Sequence, residues 1–236
     1  GVLDADLYGP SMQIMFGMEG TRPEVQQVMG SPKIVPLETD EGIHMMSIGF
    51  VVEPEQAVVL RGPRLSGVIK QFVNETIWPE LDILMVDLPP GTGDIQLTLV
   101  QTVPVTGAVL VTTPQQVAVA DALKAANMFR LDNINVPILG VVENMSWFSP
   151  ADTPDKKYEI FGAGGGEKLA TAIKSNVIGQ VPLVMEIRES GDQAIKIDQD
   201  WYEKDGYFGS IALTLVEALK TRNDSHEPTS VVQVNN

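Results

Sequence analysis

Asp82-Ile83-Leu84-Met85-Val86-Asp87-Leu88-Pro89-Pro90-Gly91-Thr92-Gly93-Asp94 is the stretch on which the fold turns. Ile83 to Asp87 reads as a strand, an apolar run closed by one carboxylate. A run without alternation predicts a strand buried on both faces, as in a parallel sheet covered by helices. Pro89-Pro90-Gly91 then stops regular structure. Beyond it, Asp94 is placed to cap a helix over Ile95 to about Val103. Ligands of open α/β sheets bind beyond the carboxyl ends of strands, so Asp87 is a candidate metal or phosphate-site residue. The alternative is a strand-ending aspartate that caps the turn.

Working outward, the same pattern recurs. Val2-Leu3 ends in Asp4-Ala5-Asp6, whose two carboxylates at i and i+2 could share a cation or orient a water; a polar loop with an aspartate cap is the alternative. Gly107–Thr112 and Val136–Val142 are apolar strands, with a helix from Gln115 to about Leu131 between them. Its expected inner face is Val117, Ala120, Leu123, Ala126, Asn127 and Leu131. Val177–Val181 is a further strand. The alternation predicts a doubly wound, mostly parallel sheet with right-handed crossovers. A second helix from Leu65 to Ile77 presents Leu65, Val68, Ile69, Phe72 and Val73. Just before it, after the apolar Ala57–Leu60, stand Arg61 and Arg64, which could meet phosphate or equally pair with surface carboxylates.

Other stretches are read as irregular. Met12 to Met18 is a short helix, Gly20 to Ser31 a linker, and Lys33–Leu37 and Ile43–Ile48 short strands. Trp147–Tyr158 is a polar, proline-containing excursion. Trp147 and Phe148 in it are read either as contacts across a dimer or as residues buried within one subunit. Gly162-Ala163-Gly164-Gly165-Gly166-Glu167-Lys168 is not a Gly-x4-Gly-Lys-Ser/Thr loop and is read as a flexible hinge before a helix to about Ser175. Glu186–Asp192 is read as a loop, Gly206–Lys220 as the closing helix, and Thr221–Asn236 as a disordered tail beyond a domain spanning 1–220.

Composition narrows the function classes. Net charge is −15, from 16 basic and 31 acidic residues, which disfavours binding nucleic acid or an anionic membrane through the global field. No apolar run reaches membrane-spanning length, and no signal peptide is visible. There is no cysteine, hence no disulfide and no thiolate ligand; a cytoplasmic setting fits best. The chain begins at a strand end without an initiator Met and is read as a piece of a longer protein.

The motifs Leu3-Asp4-Ala5-Asp6-Leu7-Tyr8-Gly9-Pro10-Ser11, Leu60-Arg61-Gly62-Pro63, Val86-Asp87 through Asp94, Val142-Glu143-Asn144-Met145-Ser146 and Gly179-Gln180-Val181-Pro182 occur in that order. Together they resemble the Mrp/ApbC family, P-loop ATPases related to MinD that act as iron–sulfur cluster carriers. The resemblance reaches to about residue 220. It implies a P-loop NTPase fold with ATP and Mg²⁺ as cofactors. Asp6 would orient the attacking water, and Asp4 would lie near Mg²⁺. Asp87 would hold the Mg²⁺ shell through water, and Gly91 would approach the γ-phosphate. Asn144 would read the base, and the loop of Pro182 would line the adenine.

Two departures bear on this. The family's P-loop and its strand are expected upstream of Gly1; without them ATP affinity should collapse, and apolar strand edges should be exposed. Many members carry Cys-x-x-Cys after the Asn-Met-Ser segment, where this chain has Trp147-Phe148-Ser149-Pro150-Ala151-Asp152-Thr153-Pro154, so the motif's cluster has no cysteine ligand here. Three functions follow: an ATP-hydrolysing iron–sulfur carrier, an ATP-dependent dimerisation switch of the MinD/ParA sort, and a nucleotide-independent scaffold. A homodimer and iron–sulfur client or scaffold proteins are the expected partners.

Overall fold

A computed structural model describes residues 1–6, 8–51 and 62–232. Arg61 and the run from Ala57 to Leu60 lie outside the described residues, as does the side chain of Arg64. The described residues gather into two compact units. One is Gly1–Pro89 with Gly93–Val103 and Gly191–Ile195; the other is Pro90–Thr92 with Pro104–Ser190 and Lys196–Asn236.

In the first unit the sheet is built around β1, Val2–Asp4. In chain order follow α1 (Met12–Met15), β2 (Val25–Val28), β3 (Ser31–Ile34), β4 (Leu37–Glu38), β5 (His44–Ser47), α2 (Gly62–Glu75), β6 (Met85–Asp87) and α3 (Asp94–Val100). The sheet order is β4-β5-β1-β6, with β1 parallel to both neighbours and β4 antiparallel to β5. Leu3, Met45 and Met46 are fully buried, and Ile69 and Phe72 of α2 with Ile95 and Leu99 of α3 complete the core. The apolar face expected of the second helix is thus the buried one at Ile69 and Phe72.

Two expectations fail here. The stretch read as a linker, Gly20–Ser31, holds β2 and the start of β3, an antiparallel ribbon. What places it is distant in sequence: Ile34 bridges Thr76, and the Lys33 ammonium donates to the Asn74 carbonyl at 2.8 Å. Strand β6 is also shorter than expected and not buried on both faces. Only β1 pairs with it among the described residues, and Ile83 and Met85 are 41% and 48% exposed. An edge strand buries one side of its backbone only, and the apolar run shows as exposed side chains.

The second unit contains β7 (Ala108–Thr112), α4 (Gln116–Phe129), β8 (Ile138–Glu143), α5 (Gly165–Ile173), β9 (Val177–Gln180), α6 (Met185–Gln193) and α7 (Tyr207–Ser225), α6 running on into the segment counted with the first unit. β7, β8 and β9 form a parallel sheet in that order. The chain is therefore α/β with parallel sheets, as expected. The strand ends fall into two groups, Asp4 with Asp87, and Thr112 and Glu143 with Gln180. Val111 on β7 is 62% exposed, the second apolar strand edge.

Corrections in this unit have local causes. Helix α4 turns Val119, Ala122, Leu123 and Ala126 inward, while Val117, Ala120, Asn127 and Leu131 of the expected face are exposed. The helix is apolar on several sides, so spacing alone did not choose the face. Residues 186–192 are helical within α6, and α7 runs on through Arg222, whose guanidinium donates to the Glu227 carbonyl at 2.9 Å. The end of the glycine run is packed rather than hinge-like, while Gly162 and Gly164 stand in open space at positive φ. A Cβ on Gly165 would stand 2.5 Å from the Pro114 carbonyl oxygen, and one on Gly166 would stand 2.9 Å from the Glu143 Cβ.

Gly209 makes an analogous close approach at the start of α7, where a Cβ would meet the Glu203 carbonyl oxygen, a backbone atom that cannot swing away. Gly209→Ala should therefore cost about 1–3 kcal/mol, lowering the melting temperature by about 2–4 °C per kcal/mol. A thermal melt superimposing on that of the unsubstituted chain contradicts this packing.

Candidate functional site

Parallel pairing sets the first cluster. Asp4 and Asp87 are register partners at the carboxyl ends of β1 and β6, and in-register neighbours project from the same face. The chain crosses between them, the Ala5 amide donating to the Asp87 carbonyl at 2.8 Å. Asp4 is fully buried and accepts from the Ser47 hydroxyl at 2.9 Å, the Asp6 amide at 3.1 Å and the Met12 amide at 3.3 Å. Asp6 is half-buried; its Oδ1 accepts from the Tyr8 and Gly9 amides at 3.2 and 3.3 Å. These bonds hold the loop after β1 closed over the strand end.

The electrostatics follow from crowding. Burial pushes the Asp4 carboxyl above its ordinary value, against the pull of the Ser47, Met12 and Asp6 donors. Partial desolvation raises Asp87, and the charges of Asp4 and Asp6 raise it further. Among the described residues no group of three or more His, Cys, Asp or Glu closes around a metal ion. The oxygen donors suit a hard cation that keeps water or phosphate in part of its shell.

Past Asp87 the chain turns as expected. Gly91 has φ +88°, a conformation open to glycine and costly to other residues. Asp94 is not the helix cap. Gly93 caps α3, with the Gln96 side chain accepting from the Gly93 amide at 2.9 Å and donating to the Pro89 carbonyl at 2.8 Å. Asp94 sits in the first turn, where its charge faces the positive helix end.

In the second unit, Asn144 and Pro182 follow the ends of β8 and β9. The Asn144 amide donates to the Thr112 carbonyl at 2.8 Å, and its side-chain oxygen accepts from the Met145 amide at 2.9 Å, leaving the side-chain NH₂ directed away from that bond. Met145 holds φ +53°, a left-handed turn that this bond supports. Ser146 donates through its amide to the Val181 carbonyl at 2.9 Å and through its hydroxyl to the Glu143 carbonyl at 2.8 Å. Pro182 is buried. Ser47, Ser146 and Gln180 were passed over in the sequence because nothing local marks a polar residue that serves a partner on another strand.

The excursion after Ser146 is ordered by its own contacts. Phe148 and Tyr158 exchange backbone bonds of 2.9 and 2.8 Å. Trp147 lies edge-on to Tyr207, and the Lys157 ammonium stands 3.8 Å above its ring. Both aromatics are half-buried within their own unit.

With this geometry in place, comparison with known proteins decides the family. Residues 1–215 match the model of the ParA group described as the NUBPL iron-transfer P-loop NTPase. The chain belongs to this family. An iron–sulfur cluster carrier protein of Synechocystis is 49% identical over 199 residues, 84% of this chain and 55% of that protein. The Escherichia coli K12 protein of the same name is 46% identical over 193 residues, 82% of this chain and 50% of its own. The chain thus spans about half the length of these relatives. A nucleotide-binding protein of Archaeoglobus fulgidus, solved with ADP, is 34% identical with a TM-score of 0.67, covering 81% of this chain and 72% of that one. MinD of Pyrococcus horikoshii, solved with Mg-ADP, shares the fold at a TM-score of 0.57 and 16% identity, over 94% and 82% of the two chains. The P-loop NTPase reading of the motifs is therefore correct at the level of family and fold.

The raised carboxyls make a pH-dependent prediction. A folded-state value above the ordinary 3.8 contributes stability that is complete below that value and is lost as pH rises through the raised one. At neutral pH without divalent cation, Asp87→Asn should relieve repulsion and raise the melting temperature by about 2 °C, a small effect because Asp87 is exposed. The gain should shrink as the pH approaches 4. An unchanged or lowered melting temperature at pH 7 contradicts the assignment.

Proposed function

We propose that this chain is the core of an ATP-hydrolysing iron–sulfur cluster carrier of the Mrp type, acting in the cytoplasm as a homodimer that serves iron–sulfur client or scaffold proteins. The observation that carries the reading is the in-register pair Asp4 and Asp87 at adjacent parallel strand ends, with Asp6 two residues beyond. Phosphoryl transfer needs positioning and charge neutralisation more than covalent chemistry.

The residues divide the work. Asp87 would hold Mg²⁺ through water and Asp4 would lie near it; burial first, and neighbouring carboxylates second, raise both carboxyls, a cost that a cation would relieve. Bound Mg²⁺ supplies charge neutralisation to the phosphates. Asp6 Oδ1 is committed to the Tyr8 and Gly9 amides, which fixes the carboxylate so that Oδ2 can accept from the attacking water and orient it. Gly91, open at φ +88°, lets backbone approach the terminal phosphate. Asn144, its side-chain oxygen engaged by Met145, would read the base through its NH₂, and the loop around buried Pro182 would line it through neighbouring residues.

The cluster is cargo rather than a resident group, and this chain has no thiolate to hold one. Asp152 and Asp155 are hard ligands that suit iron–sulfur clusters poorly. The absence of cysteine favours a second reading, a nucleotide-driven dimerisation switch of the MinD/ParA kind.

Two measurements test these readings. In the full-length protein Asp6→Asn should lower kcat about a hundredfold while changing nucleotide affinity little, and Asp87→Asn should depress Mg²⁺-dependent hydrolysis strongly. Wild-type turnover in both variants would sink the site. Separately, the 236-residue chain treated with iron and sulfide under nitrogen should acquire no stoichiometric cluster. A charge-transfer band with iron and sulfide near one cluster per dimer would require non-cysteine ligands.

A further inference from the structure

Glu143 has no part in the proposed chemistry, yet it is the most constrained charged side chain in its unit. It is 1% exposed, and both of its oxygens accept: Oε2 from the Gly166 amide at 2.6 Å and Oε1 from the Gln180 side-chain nitrogen at 2.9 Å. One carboxylate thus ties the end of β8 to the end of β9 and to the first turn of α5. Its backbone reinforces the tie, the carbonyl accepting from the Val181 amide at 2.9 Å and the Ser146 hydroxyl at 2.8 Å.

A strand needs no charge at this position. Burying a carboxylate costs free energy that its partners must return, and an apolar residue of similar volume commonly serves stability as well or better. Here two donors and the positive end of α5 compensate the charge. The Gly166 contact leaves its own mark on the sequence, since no Cβ fits there against the Glu143 side chain. A buried charge where an apolar residue commonly serves, with a glycine packed directly against it, asks for a purpose beyond stability.

The purpose lies one residue along. Asn144 follows Glu143 directly, and Pro182 stands two residues past Gln180. We propose that Glu143 is a positioning residue for base recognition: by clamping β8, β9 and the start of α5 together, it fixes the Asn144 turn against the Pro182 loop so that a purine nucleotide is preferred over a pyrimidine one. This rests on the base-reading role assigned to Asn144 above. Glu143 touches no nucleotide itself.

The test uses the full-length protein and compares dissociation constants for ATP, CTP and inorganic tripolyphosphate. Glu143→Leu, which leaves the Gly166 amide and the Gln180 side chain without their acceptor, should reduce the ATP-over-CTP preference about three- to tenfold. Tripolyphosphate affinity should stay within about twofold. Glu143→Gln keeps an acceptor for Gly166 and can meet a turned-over Gln180 amide, so it should restore most of the preference. An unchanged preference in Glu143→Leu, or equal losses for ATP and tripolyphosphate, overturns the proposal. Asn144→Ala separates the two levels: if it too leaves the preference intact, the base-reading assignment itself is wrong; if it abolishes the preference while Glu143→Leu does not, only the positioning role falls. Should Glu143→Leu fail to fold, Gln180→Met removes the amide partner alone and should lower the preference about threefold; no change there overturns the proposal equally.

Discussion

The organising constraint is that two carboxylates, Asp4 and Asp87, end adjacent parallel strands at the same level. Burial raises the cost of ionising both, the charge of Asp4 adds to that cost at Asp87, and the structure accepts it. It surrounds Asp4 with a hydroxyl and two amides and leaves Asp87 with its carboxylate near solvent. Everything local to the site serves this arrangement. β1 is central in its sheet, flanked by β5, which brings Ser47, and by β6, which brings Asp87. Amides of Asp6 and Met12 draw the following segment onto Asp4.

The second unit repeats the device with other residues. Asp4 on β1 faces its register partner Ser47 on β5, and Glu143 on β8 faces its register partner Gln180 on β9. In both, a buried acid at a strand end takes a hydrogen bond from a polar side chain one strand over. In both, the other oxygen accepts from a backbone amide: that of Asp6 beside Asp4, that of Gly166 beside Glu143. Buried charge is a poor way to gain stability but a good way to specify geometry, because both oxygens demand partners in fixed directions. In each unit a buried acid thereby fixes the strand end that carries it.

Much of this was legible in the residues, and the failures have a common cause. The strands ending at Asp4, Asp87 and Glu143, and the helices between them, follow from apolar runs and turn chemistry that act within a few residues. The ribbon at Val25–Ile34 was read as linker because its placement depends on Thr76 and Asn74, some forty residues away. The glycine run at 162–166 was read as a hinge because a glycine that admits close packing and one that admits bending are the same letter. The inner face of α4 was misassigned at Val117, Ala120, Asn127 and Leu131, since a helix apolar on several sides does not itself say where the sheet lies.

The sequence by itself determined the class of fold, the family, and the identity of the acidic residues, because strand-ending carboxylates beside glycine-rich turns are local patterns. Tertiary structure alone decided which of those acids are buried, which stand in register, and which polar residues hold them. Register is a relation between strands whose separation along the chain is set by everything between them. No local rule pairs Asp4 with Ser47 or Glu143 with Gln180; only the assembled sheet brings those side chains within hydrogen-bonding distance.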